Sequence, residues 1–304
     1  MFRAYAALIL VGFIWGSNFI YMKMATAAIS PLQVVFLRVA AGFVPLALMA
    51  WKTGVLNRGQ LRHLPHFAVM SVLATSFYYY GFAAGTALLP SGVAGLLGGA
   101  IPIVTFLTSL IFLRSERPNR LMAAGVGVGF AGIVLAARPW EGGATVSLAG
   151  VLWVMTGVLS VGVSFVWARR FLSPLGLPPL ALATWQTGLG LITLAAVTDY
   201  RGMTAILDEP HALAGLILGL GVLGTGLAYL IYYYILDRLG AVGASGATYL
   251  PAVVALAIGA AVGETVTAVE LLALALILGG VALIQLGSRR VVRRPPAVQD
   301  SATA

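Results

Sequence analysis

Ser91-Gly92-Val93-Ala94-Gly95 runs on to Ile101-Pro102, and Gly240-Ala241-Val242-Gly243-Ala244 runs on to Leu250-Pro251. The two runs of small residues, each closing on a proline inside apolar sequence, form the middle of a longer match. Gly16-Ser17-Asn18-Phe19 with Lys23 is answered by Gly162-Val163-Ser164-Phe165 with Arg169. Glu116 and the later Ala131-Gly132-Ile133-Val134 are answered by Glu264 and Gly279-Gly280-Val281-Ala282. Four blocks in one order, offset by about 146–149 residues, mean that the chain is an internal duplication.

Composition fixes the solvent. Of 304 residues 60% are hydrophobic and 9% charged, against about 45–50% and about 25% in soluble chains, and the mean hydropathy is +0.99. Stretches of about 20 apolar residues, each long enough to cross about 30 Å of hydrocarbon, fall at 3–24, 31–51, 64–86, 91–113, 120–138, 147–169, 178–198, 211–236, 241–262 and 268–287. The expected fold is therefore all-α and integral to the membrane, with ten transmembrane helices. Residues 1–140 form one five-helix repeat and 145–288 the second, with a disordered cytoplasmic tail at 289–304. Five spans is an odd number, so the second copy enters the membrane from the opposite side. An inverted-topology repeat is the build of secondary transporters.

Fourteen of the eighteen basic residues fall on one side of this arrangement: Arg3, Lys52, Arg58, Arg62, Arg114, Arg117, Arg120, Arg169, Arg170, Arg238, Arg289, Arg290, Arg293 and Arg294. Lys23, Arg138 and Arg201 fall on the other, with Glu141, Asp199, Asp208, Glu209, Glu264 and Glu270. The positive-inside rule then puts both termini in the cytoplasm. The net charge of +9 reflects this asymmetry rather than affinity for nucleic acid. Arg3, the first apolar run and Ala25-Thr26-Ala27 resemble a cleavable signal peptide, but the run is too long for one. Gly219, Gly221 and Gly224 spell a dinucleotide fingerprint inside an apolar helix, where no strand precedes it, so they are packing residues. With no cysteine and no acidic or histidine cluster, no metal, cofactor or catalytic residue is expected.

Pro102 lies about 16 Å into its span and Pro251 about 15 Å into the matching one. A mid-membrane proline frees a carbonyl and kinks the helix. Symmetric placement makes the pair candidate hinges.

The ten spans, the duplication, Trp15-Gly16-Ser17-Asn18-Phe19, Gly92-Val93-Ala94 before Pro102, and Gly263-Glu264 followed by Gly279-Gly280-Val281 resemble the drug/metabolite transporter superfamily, specifically its EamA-type ten-helix exporters. The resemblance implies export of amino acids or related metabolites across the bacterial inner membrane. Sugars, nucleotide derivatives and drugs are the alternatives within that superfamily, and a membrane-embedded enzyme is the alternative outside it.

The substrate should be a small molecule held inside the bilayer, by a monomer or dimer. Arg38, about 10 Å inside the second span, is either a bidentate partner for a substrate carboxylate or an anchor that snorkels or pairs with Glu264 or Glu270. Trp15, Tyr78 and Tyr79 lie too deep for an interfacial belt and are candidates to line a cavity, giving a lean to aromatic amino acids. Asn18 and its counterpart Ser164 are polar groups within their helices, and Trp185 and Tyr249 complete the candidate binding set. Tyr232, Tyr233 and Tyr234 read as an interfacial belt. No Asp or Glu lies well inside any span, which favours downhill carriage over ion coupling.

Overall fold

Apolar helices follow one another with few polar residues between them in the computed structural model, which describes residues 2–112, 119–141, 146–232 and 249–292, with 234, 235, 238 and 247 besides. They are α1 (Phe2–Ala28), α2 (Pro31–Thr53), α3 (Arg58–Leu88), α4 (Ser91–Phe112), α5 (Arg120–Ala137), α6 (Leu148–Trp167), α7 (Pro179–Val197), α8 (Pro210–Tyr232), α9 (Leu250–Ala261) and α10 (Ala268–Val292). Nine described helices are long and apolar enough to cross a bilayer. The tenth, α9, is shorter over its described part. The expected Gly240-Ala241-Val242-Gly243-Ala244 block, Tyr233, Arg114, Arg117, Glu116, Arg293 and Arg294 lie outside the described residues. So does the expected tail from 293 on, while α10 runs through Val292, past the expected end of its span.

Helix ends are set by local chemistry. Ser30 and Gln33 form a capping box at the start of α2, and Gly54 closes it in the left-handed region at φ 64°. Asn119 caps α5 and Ser147 caps α6 through backbone N–H groups three residues on. Between these ends each backbone group is satisfied within its helix, as hydrocarbon, which holds no water, requires.

Packing follows the duplication. The pairs α1–α9 and α1–α8 have counterparts in α6–α4 and α6–α3, and α2–α8 has its counterpart in α7–α3. Three further pairs, α2–α7, α4–α9 and α5–α10, map onto themselves. Adding five to every helix number thus maps these nine pairs onto one another. Two of the self-paired seams are antiparallel, as a twofold axis in the membrane plane requires: Gly92 faces Leu256 while Gly99 faces Ala252, and Gly125 faces Ile284 while Gly132 faces Ala273.

The α5–α10 seam is the tightest kind of helix contact. A Cβ on Gly280 would lie 2.5 Å from both Gly125 O and Gly129 N, so only glycine permits this approach.

Hydrogen bonds sort the helix ends into two faces. On the face away from the N-terminus, Gln33 Nε2 donates to Asp199 O (2.7 Å) and Arg201 O (2.9 Å), Lys23 Nζ donates to Ala87 O (3.1 Å), and Arg138 pairs with Glu270 at 2.5 Å. On the N-terminal face, Asn119 Nδ2 donates to Gly287 O (2.9 Å) and Arg170 Nη1 to Phe112 O (3.1 Å).

Candidate functional site

Between these faces lies a cavity of about 290 Å³ walled by both halves of the chain. Toward the far face its lining includes Met22 and Phe82, each six residues from the end of its helix, or about 9 Å. Toward the N-terminal face the lining continues through Met70, Ala168, Leu172 and Leu182. Three wider π turns, Val72–Ser76, Ala168–Leu172 and Gly215–Leu227, contribute to the wall through Ala74, Ala168 with Leu172, and Gly224. Such bulges re-aim side chains inside an otherwise regular helix.

Arg38 is the charged member of the wall. It is 4% exposed, and its guanidinium lies 3.8 Å from the centre of the Tyr79 ring. Arg38 Nε donates to Thr225 Oγ1 at 3.2 Å, and Thr225 Oγ1 in turn donates to Leu220 O at 3.0 Å, five residues back along the π turn. The Asn18 amide, oriented to donate to Ile14 O at 3.0 Å, accepts from Arg38 Nη2 at 3.2 Å. Stacking on a tyrosine face and two neutral acceptors ease the burial of the charge without neutralising it.

Neither carboxylate expected as its alternative partner is there. Glu264 accepts from Ser91 N (2.6 Å) and Gly92 N (2.9 Å), capping α4, and is delivered by Gly263 at φ 91°. Glu270 pairs with Arg138. Two of the guanidinium's five donors are occupied, and among the described residues no further acceptor reaches it.

Six of the eight candidate binding residues come together on this wall: Trp15, Asn18, Arg38, Tyr78, Tyr79 and Ser164. Trp185 and Tyr249 do not. Trp185 Nε1 needs an acceptor and finds Gln60 Oε1 at 2.7 Å, while its ring stacks on Phe67 with centroids 5.9 Å apart. Gln186, about 100° further round the helix, lines the cavity instead. Tyr249 accepts from Gln285 Nε2 and borders a neighbouring groove of about 320 Å³ with Pro102.

The belt expectation for Tyr232 is also corrected. It lines the cavity and packs on Trp15 with ring centroids 5.6 Å apart. Phe19 and Phe82, 5.8 Å apart, and Tyr229 add to the aromatic lining.

The two prolines stand in matching places. Pro102 is the second residue of the half-helix Ile101–Phe112, after a break at Gly99 and Ala100, and Pro251 is the second residue of Leu250–Ala261. A proline in the first turn of a helix forfeits no intrahelical bond, so both prolines start a helix rather than bend a continuous one.

Two inverted five-helix repeats of apolar, membrane-length helices are the build of an integral membrane transporter. The chain belongs to the EamA-like transporter family, whose pattern it matches at residues 2–138 and again at 148–286. It is 25% identical to the uncharacterized inner membrane transporter YedA of Escherichia coli K12, over 98% of this chain and 97% of that one. It is 26% identical to a probable terminal-alkyne amino-acid exporter of Streptantibioticus cattleyicolor, over 96% and 98%. A crystal structure at 20% identity superposes with a TM-score of 0.60, covering 95% of this chain and 98% of its own, and shares the fold.

Proposed function

We propose that the protein is an alternating-access exporter of small carboxylates, amino acids and kindred metabolites, with a preference for aromatic bodies. The observation that carries this reading is Arg38, a buried guanidinium on a cavity wall with donors unspent and an otherwise aromatic surround. A carboxylate is the ligand that such a fork grips in bidentate fashion. The relative named a probable terminal-alkyne amino-acid exporter supports the substrate class. Pro102 and Pro251, each starting a half-helix, supply points at which one repeat turns against the other.

Tyr79 is engaged by Arg38, so ring selectivity falls to Trp15 with Tyr232 and to Tyr78 with Phe82, whose centroids lie 5.1 Å apart. Trp15→Ala and Tyr78→Ala should each lower the preference for phenylalanine over alanine in proteoliposome counterflow by about tenfold. That factor corresponds to a stacking contact of about 1.4 kcal/mol. Tyr79→Ala should instead depress all carboxylates together. A uniform loss in all three variants, or counterflow of sugars and lipophilic cations in place of amino acids, overturns the aromatic-carboxylate reading.

Orientation is tested separately. The distribution of basic residues supports a cytoplasmic N-terminal face. The chain has no cysteine, so single cysteines can be introduced cleanly. Cysteines at exposed Ser30 and Thr204 should label with an impermeant thiol reagent in intact cells, and one at exposed Asn57 should not. Reversed labelling would show the opposite insertion.

A further inference from the structure

Gln186 stands where the duplication would have placed a second Arg38. Arg38 on α2 reaches Thr225 on α8, and Gln186 on α7 reaches Thr75 on α3, its Nε2 donating to Thr75 Oγ1 at 3.0 Å. Moving each helix number by five exchanges these two pairs. Both Arg38 and Gln186 line the cavity, so the fold offers two equivalent positions for a charge and fills one of them.

Among the described residues no lining residue of the cavity is acidic. Six of the nine carboxylates, Glu141, Asp199, Asp208, Glu209, Glu264 and Glu270, belong to the far face. The other three, Glu116, Asp237 and Asp300, stand in sequence beyond the ends of apolar spans, outside the described residues. Both ion pairs among the described residues belong to Arg138. Among the described residues the cavity therefore holds one fixed cation and no fixed anion.

Resting on the reading of Arg38 as a carboxylate site, the geometry points to a carrier that selects substrates of net charge −1 and exports them along the membrane potential. A monoanion beside Arg38 leaves a neutral pair in a low-dielectric cavity. A zwitterion brings a second cation, which must be desolvated near Arg38 with no carboxylate to receive it. The favoured class is small 2-oxo acids, aryl carboxylates and N-acylated amino acids, whose apolar bodies suit the aromatic wall.

Net charge also decides the energetics. Over a full transport cycle every charge of the protein returns to where it began, so the charge moved is that of the substrate. One negative charge leaving a compartment that is negative inside gains about 2.3 kcal/mol per 100 mV, which is about fiftyfold in concentration ratio. A carrier that uses this term needs no carboxylate in the membrane to relay a proton.

The test compares phenylpyruvate, a monoanion at neutral pH, with phenylalanine, a zwitterion bearing the same ring. Each is loaded into proteoliposomes holding the full-length protein, with a potassium gradient and valinomycin setting the potential. An inside-negative potential of about 100 mV should shift the phenylpyruvate distribution toward the outside by about fiftyfold and leave that of phenylalanine unchanged. Phenylpyruvate should also leave about tenfold faster. Gln186→Glu supplies the missing anion and should reverse that preference; if the variant does not assemble, the parent protein still decides the matter. Phenylpyruvate efflux indifferent to potential, or equal rates for both compounds, overturns charge selection while leaving Arg38 as a carboxylate site. Efflux of neither compound above protein-free vesicles removes the carboxylate site itself and this inference with it.

Discussion

Arg38→Met should lower carboxylate transport by about a hundredfold or more in kcat/KM while leaving the protein as stable as its parent or more so. The loss follows from removing charge-assisted hydrogen bonds worth about 1.5–3 kcal/mol apiece. The gain follows from burial: Arg38 is 4% exposed, has no anionic partner among the described residues and leans on Tyr79, Thr225 and Asn18. Replacing a buried cation by a methionine of similar length removes its desolvation penalty. Arg38→Lys keeps the charge without the planar fork and should fall between the two in transport, sparing substrates that lack a carboxylate. Thermal denaturation in detergent and counterflow in vesicles measure the two quantities separately. If Arg38→Met unfolds the protein, or carries carboxylates at the parent rate, the guanidinium is a structural strut and not a substrate group.

A second large effect is expected one seam away from the cavity. Gly280→Leu should destabilise the fold by about 3 kcal/mol or more, because its Cβ would meet backbone atoms of Gly125 and Gly129 at 2.5 Å, and backbone cannot rotate aside. Gly279→Leu is the natural control. A Cβ there meets nothing within 4 Å, so the change should cost no more than about 0.5 kcal/mol. Chemical denaturation in mixed micelles reads both. Equal losses at 279 and 280 would mean that glycine at this position answers to backbone freedom and not to the approach of α5.

Most of the architecture was legible in the sequence because the bilayer enforces it. A helix must be about 20 apolar residues long to cross, and an odd number of spans inverts a repeat. The site was legible only in part. Depth along a helix can be counted in residues, and it placed Trp15, Tyr78, Tyr79 and Arg38 together. Azimuth cannot be counted when apolar residues face both lipid and neighbours. Trp185 therefore turns away to Gln60 while its neighbour Gln186 lines the cavity, and Tyr232 turns inward to Trp15. The π turns shift azimuth further, and no sequence signal announces them. One signal was present and unused: the repeat offset carries Arg38 onto Gln186, the residue that faces the cavity.

Glu264 has a consequence for how the molecule is made. It caps the start of α4 from 173 residues downstream of Ser91, and α1 packs on α8 and α9, which leave the ribosome much later than it does. The first repeat thus waits in the membrane with a bare helix start and an unclothed face until those later segments are made. Contacts between such distant segments form slowly. Helices α1 to α4 must meanwhile be sheltered by lipid or by the insertion machinery, and the half-built chain is the state most open to proteolysis.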